Sequence, residues 1–209
     1  MATVVLVRPG CTDFDDQKRI QGSLDLPLND RGQEQLTRVL DALRDQPVDA
    51  VLTGPADPSR SVAEALAESL DAKLKEKKEL CNLDQGLWQG LSVDEVRRKF
   101  PSVFRQWEEA PETVCPPEGE SVPEAVKRLK SVLKKPLRKL DRFVVVASEP
   151  LASLVSCLLR GAEPDDLTES MFGCCEDHLV EVIETSGPSD NCCGSSTELP
   201  LPVAAPANN

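Results

Sequence analysis

Two runs of consecutive apolar β-formers, Val4–Val7 and Phe143–Val146, constrain this chain more than any other feature. A strand with one wetted face alternates apolar and polar side chains. An uninterrupted run needs cover on both faces, which is the situation of a central strand between helical layers. The first strand, Thr3–Val7, runs straight into Arg8-Pro9-Gly10-Cys11, and the strand Arg142–Ala147 runs into Ser148-Glu149-Pro150. Turns just past the carboxyl ends of such strands are where open α/β sheets place their chemistry. An arginine there suits an anion, whereas the proline beside it has no proton, charge or ligand atom to offer.

Helical and extended patterns alternate along the rest of the chain. Asn29 or Asp30 caps a helix to Arg44 with Leu36, Val39, Leu40 and Leu43 on one face. Val48–Leu52 reads as a short strand, and "GPADPSRSVAEALAESLD" turns into a helix with Ala63, Leu66, Ala67 and Leu70 inward. Residues 76–80 read as a weaker, polar strand near an edge, and 92–109 as two helical pieces parted at Pro101. After the loop "CPPEGES" comes a basic amphipathic helix, Val122–Leu140, which Pro136 should kink or end. Its apolar positions are Val126, Leu129, Val132 and Leu133, and its Lys/Arg run reads as a solvated face. Pro150 opens another helix that closes on Gly161, and Leu179–Glu184 is the last strand. These patterns predict an α/β three-layer sandwich with a mostly parallel central sheet over residues 1–185. Residues 186–209, rich in Pro, Ser, Asn and Cys without a period, read as a disordered tail.

Composition narrows the function classes. Aromatic residues make up 3% of the chain and tyrosine is absent, so the core must rest on Val, Leu and Ala. A net charge of −12 argues against nucleic-acid and membrane partners and obliges any anion pocket to work against the overall field. No apolar run is long enough to span a bilayer and no signal-like segment opens the chain, so the expected location is the cytoplasm. The eight cysteines include the adjacent pairs Cys174-Cys175 and Cys192-Cys193 but lack zinc-site spacing, and a single histidine, His178, is present. The expectation is reduced, mostly incidental thiols, with no metal and no cofactor.

Several short motifs fall in one order: "RPGCT" (8–12), "RIQG" (19–22), "PLNDRG" (27–32), Arg60 near a helix start, "DQGLWQG" (84–90) and "EGES" (118–121). This succession resembles the histidine phosphatase superfamily, the phosphoglycerate mutase-like group. Members read R-H-G-E-T, R-x-Q-G, P-L-[ST]-x-x-G, a helix bearing a second arginine, E-x-x-x-G-x-W-x-G, G-E-S and a strand into S-H-G. The resemblance implies phosphoryl transfer through a phosphohistidine. That chemistry needs an imidazole nucleophile, a cradle of two arginines and a second histidine, and a carboxylic acid for the leaving oxygen.

Carried over residue by residue, the resemblance divides. Arg8, Gly10 and Arg60 match the phosphate pocket, with Asp15 where a substrate-contacting Asn is common. The nucleophile position holds Pro9, the second histidine position Glu149 and the acid position Asn82, while Cys11 replaces the usual Glu or Gln. His178 takes no family role and reads as a partly exposed histidine at a sheet end. The expected catalytic set is therefore empty, with Glu149 neutralising Arg8 or Arg60. The implied function is that of an inactive pseudophosphatase acting on an unknown protein partner or small anionic ligand. The alternative is a phosphomonoesterase with altered chemistry that uses Glu149 or Cys11, the latter activated by Arg8.

Overall fold

The computed structural model describes residues 1–109, 113–162, 178–185 and 195–198. Its sheet has six strands in the order β3-β2-β4-β1-β5-β6: Lys73–Glu76, Ala50–Thr53, Arg142–Val146, Ala2–Val7, Val180–Thr185 and Ser195–Glu198. β1 pairs parallel with β4, β4 with β2 and β2 with β3, whereas β5 runs antiparallel to both β1 and β6. The two continuous apolar runs are thus neighbours at the centre, in register from Val4 opposite Phe143 to Val7 opposite Val146.

Strand periodicity sends alternate residues to opposite faces. Val5, Val7, Val51, Val144 and Val146 bury against α2 (Asp30–Leu43) and α3 (Ser59–Ser69), among Val39, Leu43, Val62 and Leu66. Val4, Leu6, Leu52, Phe143, Val145 and Ile183 bury against α6 (Val122–Leu133) and α8 (Leu151–Arg160), among Leu129, Leu151 and Val155. Each fully buried valine or leucine of the central strands contributes about 1.5–3 kcal/mol. The helix–sheet–helix layering is the three-layer sandwich that the apolar runs predict. A satellite cluster of Ile20, Trp88, Val96, Phe104, Trp107 and Val114 holds α4 (Val93–Lys99) and α5 (Pro101–Glu109), with Trp88 edge-on to Trp107 at 6.5 Å.

Local chemistry sets most element ends. Asn29 caps α2 by accepting from the Gly32 amide, and a short α1 (Asp13–Asp16) begins on a reciprocal Thr12–Asp15 capping box. Pro136 ends α6 as expected and opens the short α7 (Pro136–Lys139).

Two expectations are corrected. The edge strand lies at Lys73–Glu76, whereas residues 78–80 form a 3₁₀ turn. The Lys77 amide donates to the Thr53 carbonyl where β2 ends, and the turn then drives Leu80 into the core. Within the segment read as a disordered tail, Ser195–Glu198 forms β6, whose backbone pairs with the otherwise open edge of β5. Cys174-Cys175 and, apart from Ser195–Glu198, the tail with Cys192-Cys193 lie outside the described residues.

Candidate functional site

The carboxyl ends of β1, β2 and β4 converge, bringing together Arg8, Gly54, Ser148 and Glu149. The position of the 8–12 turn is fixed by backbone contact. A Cβ on Gly10 would lie 2.5 Å from the carbonyl oxygen of Gly32, so both glycines are needed for the turn to rest on the start of α2. Pro9 is buried within that turn.

Arg8 leaves β1 on the face covered by α8. Its Nε donates to Glu149 Oε1 at 2.6 Å, its Nη1 to Glu181 Oε2 at 3.4 Å and to the backbone carbonyl of His178 at 3.3 Å. The three side chains are 11%, 9% and 6% exposed, so this is a shielded pairing rather than a surface one. Of the two arginines expected to be neutralised, it is Arg8 that Glu149 meets. The second carboxylate oxygen of Glu149 accepts from the Ser153 amide at 3.2 Å, inside the first turn of α8. A helix N-terminus is a ready anion site, and here the protein's own carboxylate occupies it.

Glu181 extends the network. Its Oε1 accepts from Ser156 Oγ at 2.8 Å and from Arg160, and Arg8 lies on its other oxygen. Burial works against its charge, but Ser156, Arg160 and Arg8 together outweigh it and hold the carboxyl below its ordinary range. Sequence reasoning missed Glu181, Ser156 and Arg160. The one signal was an acid between the apolar residues of Val180-Glu181-Val182-Ile183, where an unpartnered charge would be costly.

Asn82 joins three segments. Its Nδ2 donates to the carbonyls of Gly22 at 2.9 Å and Glu149 at 2.8 Å, and its Oδ1 accepts from the amides of Leu83 at 2.9 Å and Leu151 at 3.3 Å. Each contact is to backbone, and two of them take a donor. An acid could not reproduce that set when ionised. Beside it, Ser59 and Ser148 share a buried hydroxyl contact of 3.0 Å.

Three site expectations change. Arg60 is 51% exposed and turned outward, its Nε on Glu64 at 3.0 Å with Glu76 at 4.0 Å, and so does not join Arg8. Asp15 accepts from the Thr12 amide and hydroxyl at 2.6 and 2.8 Å, serving the cap of α1. Cys11 is fully buried, with Arg31 rather than Arg8 against its sulfur at 3.1 Å. His178 is exposed and reaches the site through its carbonyl.

The cavity at the ends of β2 and β4, bounded by Gln21, Gly54, Ser59, Asn82 and Ser148, holds ≈ 10 Å³. One water needs about 10–15 Å³ by the same measure. Outside Asn82 a cleft of ≈ 500 Å³ opens among Lys78, Asp84, Glu120 and Arg128, where Arg128 and Glu120 pair at 2.6 and 2.7 Å. A phosphate oxygen about 4 Å from Glu149 would meet a repulsion of about 4 kcal/mol per unit charge at an effective dielectric constant near 20. Among the described residues no group of three or more His, Cys, Asp or Glu could hold a metal ion, and no helix is long and apolar enough to cross a membrane.

A strand-end arginine over a parallel sheet, with the first turn of a helix aimed at it, is an arrangement able to hold an anion. The chain belongs to the histidine phosphatase superfamily (branch 1), whose family pattern matches residues 4–187. It is similar to phosphoserine phosphatase 1 of Hydrogenobacter thermophilus, 29% identical over 177 residues that span 83% of this chain and 82% of that one. Among solved structures it superposes on mycobacterial glucosyl-3-phosphoglycerate phosphatase complexed with VO3, with a TM-score of 0.80, 19% identity and coverage of 94% and 97% of the two chains. The alpha-ribazole phosphatase of Shigella flexneri gives a TM-score of 0.77 at 17% identity, with 95% of each chain covered. At these identities the structural likenesses speak to the fold, which is that of the phosphoglycerate mutase-like proteins.

Proposed function

We propose that this protein is a pseudophosphatase: a histidine phosphatase scaffold that does not turn over phosphomonoesters and acts by binding a partner protein or a small ligand. The observation that carries this reading is the 2.6 Å pair between Glu149 and Arg8, which places a carboxylate on the cation a phosphate would need. Pro9 beside it cannot accept a phosphoryl group, and Asn82 is committed to backbone contacts rather than to proton transfer. The altered-chemistry alternative asks more of the same residues. Glu149 is held by Arg8 and Ser153, and Cys11 is buried against Arg31. The relatives' names identify phosphatases, so any activity would be hydrolysis of a phosphoric monoester.

The test is an assay of the full chain against a generic phosphomonoester, with Arg8→Ala as control. No turnover above the Arg8→Ala background supports the reading. Turnover that Arg8→Ala abolishes overturns it in favour of the alternative.

A further inference from the structure

At the opposite end of the sheet, where α6 gives way to α7 ahead of β4, a groove of ≈ 380 Å³ is lined by Ser131, Lys134, Lys135, Arg138 and Lys139. All five residues are exposed, and none of the four cations makes an ion pair or side-chain hydrogen bond with a described residue. The stretch 125–140 carries seven of the chain's 24 Lys and Arg and not one acid, in a protein whose net charge is −12. Helix dipoles favour cations at helix C-termini, and α4, α6, α7 and α8 carry basic residues in their last turns, but α2 and α3 form without any there. The fold therefore does not require this clustering.

We propose that this groove is a docking site for an acidic, carboxylate-rich segment of a partner protein. Its chemistry separates that occupant from other polyanions. Three of the four cations are lysines, point charges on flexible stems, rather than the guanidinium forks that grip phosphate bidentately. Among the described residues the exposed large apolar side chains are Met1, Leu74 and Leu87. None of them lines the groove, so it lacks both the apolar anchor of a membrane-surface helix and the aromatic platform of a single-strand nucleic-acid site. The groove is concave, and the strongly acidic remainder of the protein would repel a broad anionic surface such as a bilayer. A narrow segment meets mainly the local cations, because fields are screened within about 8 Å at physiological ionic strength. The site does not depend on whether the Arg8 pocket hydrolyses anything.

The experiment is fluorescence anisotropy of a labelled oligo-glutamate peptide with the full chain at low ionic strength. The test variant is Lys134→Ser/Lys135→Ser/Arg138→Ser/Lys139→Ser. The control variant, Lys73→Ser/Lys77→Ser/Arg98→Ser/Lys99→Ser, removes the same charge from exposed positions elsewhere, and circular dichroism checks that both are folded. The expected result is saturable binding that weakens with salt, falls by about tenfold or more in the groove variant and persists in the control. No binding by the wild type, an equal loss in both variants, or tighter binding of anionic vesicles or an oligonucleotide overturns the proposal.

Discussion

The carboxylate of Glu149 lies 2.6 Å from Nε of Arg8, with its second oxygen on the Ser153 amide at the start of α8. One side chain thereby satisfies both the cation and the helix terminus, the two groups that an anion bound there would need. If so, millimolar phosphate or vanadate leaves the melting temperature of the wild type unchanged. Glu149→Ala destabilises the protein by about 1–3 kcal/mol, because Arg8 retains Glu181. The same variant gains a melting-temperature rise with either anion. Scanning fluorimetry checks both halves, and a clear rise in the wild type would show that the pocket is open.

Glu181 sets an acid sensitivity. Its carboxyl is held below the ordinary range in the folded state, so the unfolded chain binds the proton more readily. Its stabilising contribution is complete above the unfolded value of about 4.3 and is lost as pH falls through the lower folded value. The wild type is therefore expected to exceed Glu181→Gln in stability near neutral pH, with the gap closing below about pH 4.3. Denaturant melts of the two proteins across that range measure it. A gap that widens towards acid would contradict the network.

Asn82 is expected to tolerate no ionised replacement. Asn82→Asp loses the two donors that meet the Gly22 and Glu149 carbonyls and sets a charge against them, at a cost of about 2 kcal/mol. Because the cost belongs to the ionised form, it should shrink as the new carboxyl is protonated. Chemical denaturation at neutral and acidic pH reads this out, and a loss independent of pH would point to packing alone.

Introducing the family's three reactive groups is not expected to give turnover on its own. Pro9→His, Glu149→His and Asn82→Glu together still leave Arg60 facing Glu64 and Glu76, so the pocket has one arginine. Pro58 is buried immediately before Ser59, whose hydroxyl meets that of Ser148 at the strand ends. The triple variant is expected to stay at background on a generic phosphomonoester, and adding Pro58→Arg is expected to give measurable turnover. Activity in the triple variant alone would show that Arg60 swings inward.

The sequence made the layers legible because burial on both faces leaves an unmistakable mark on β1 and β4. It also pointed to Arg8, Pro9 and Glu149, each of which adjoins one of those strands. Arg60 was less tractable. Two residues along a helix amount to a rotation of about 200°, so a small offset at the start of α3 exchanges the pocket for solvent. Glu181 and Arg160 meet only through the packing of α8 on β5, across 21 residues of chain, and neither belongs to a motif. β6 is built from Ser195-Ser-Thr-Glu198, whose composition carries no strand signal, and the open edge of β5 recruits it.

The contact between Gly10 and Gly32 has a wider consequence. It locates the turn after β1 by main chain against main chain, with the Pro9 side chain buried beside the contact. A turn held by its own backbone keeps its place at the strand end independently of the chemistry beside it.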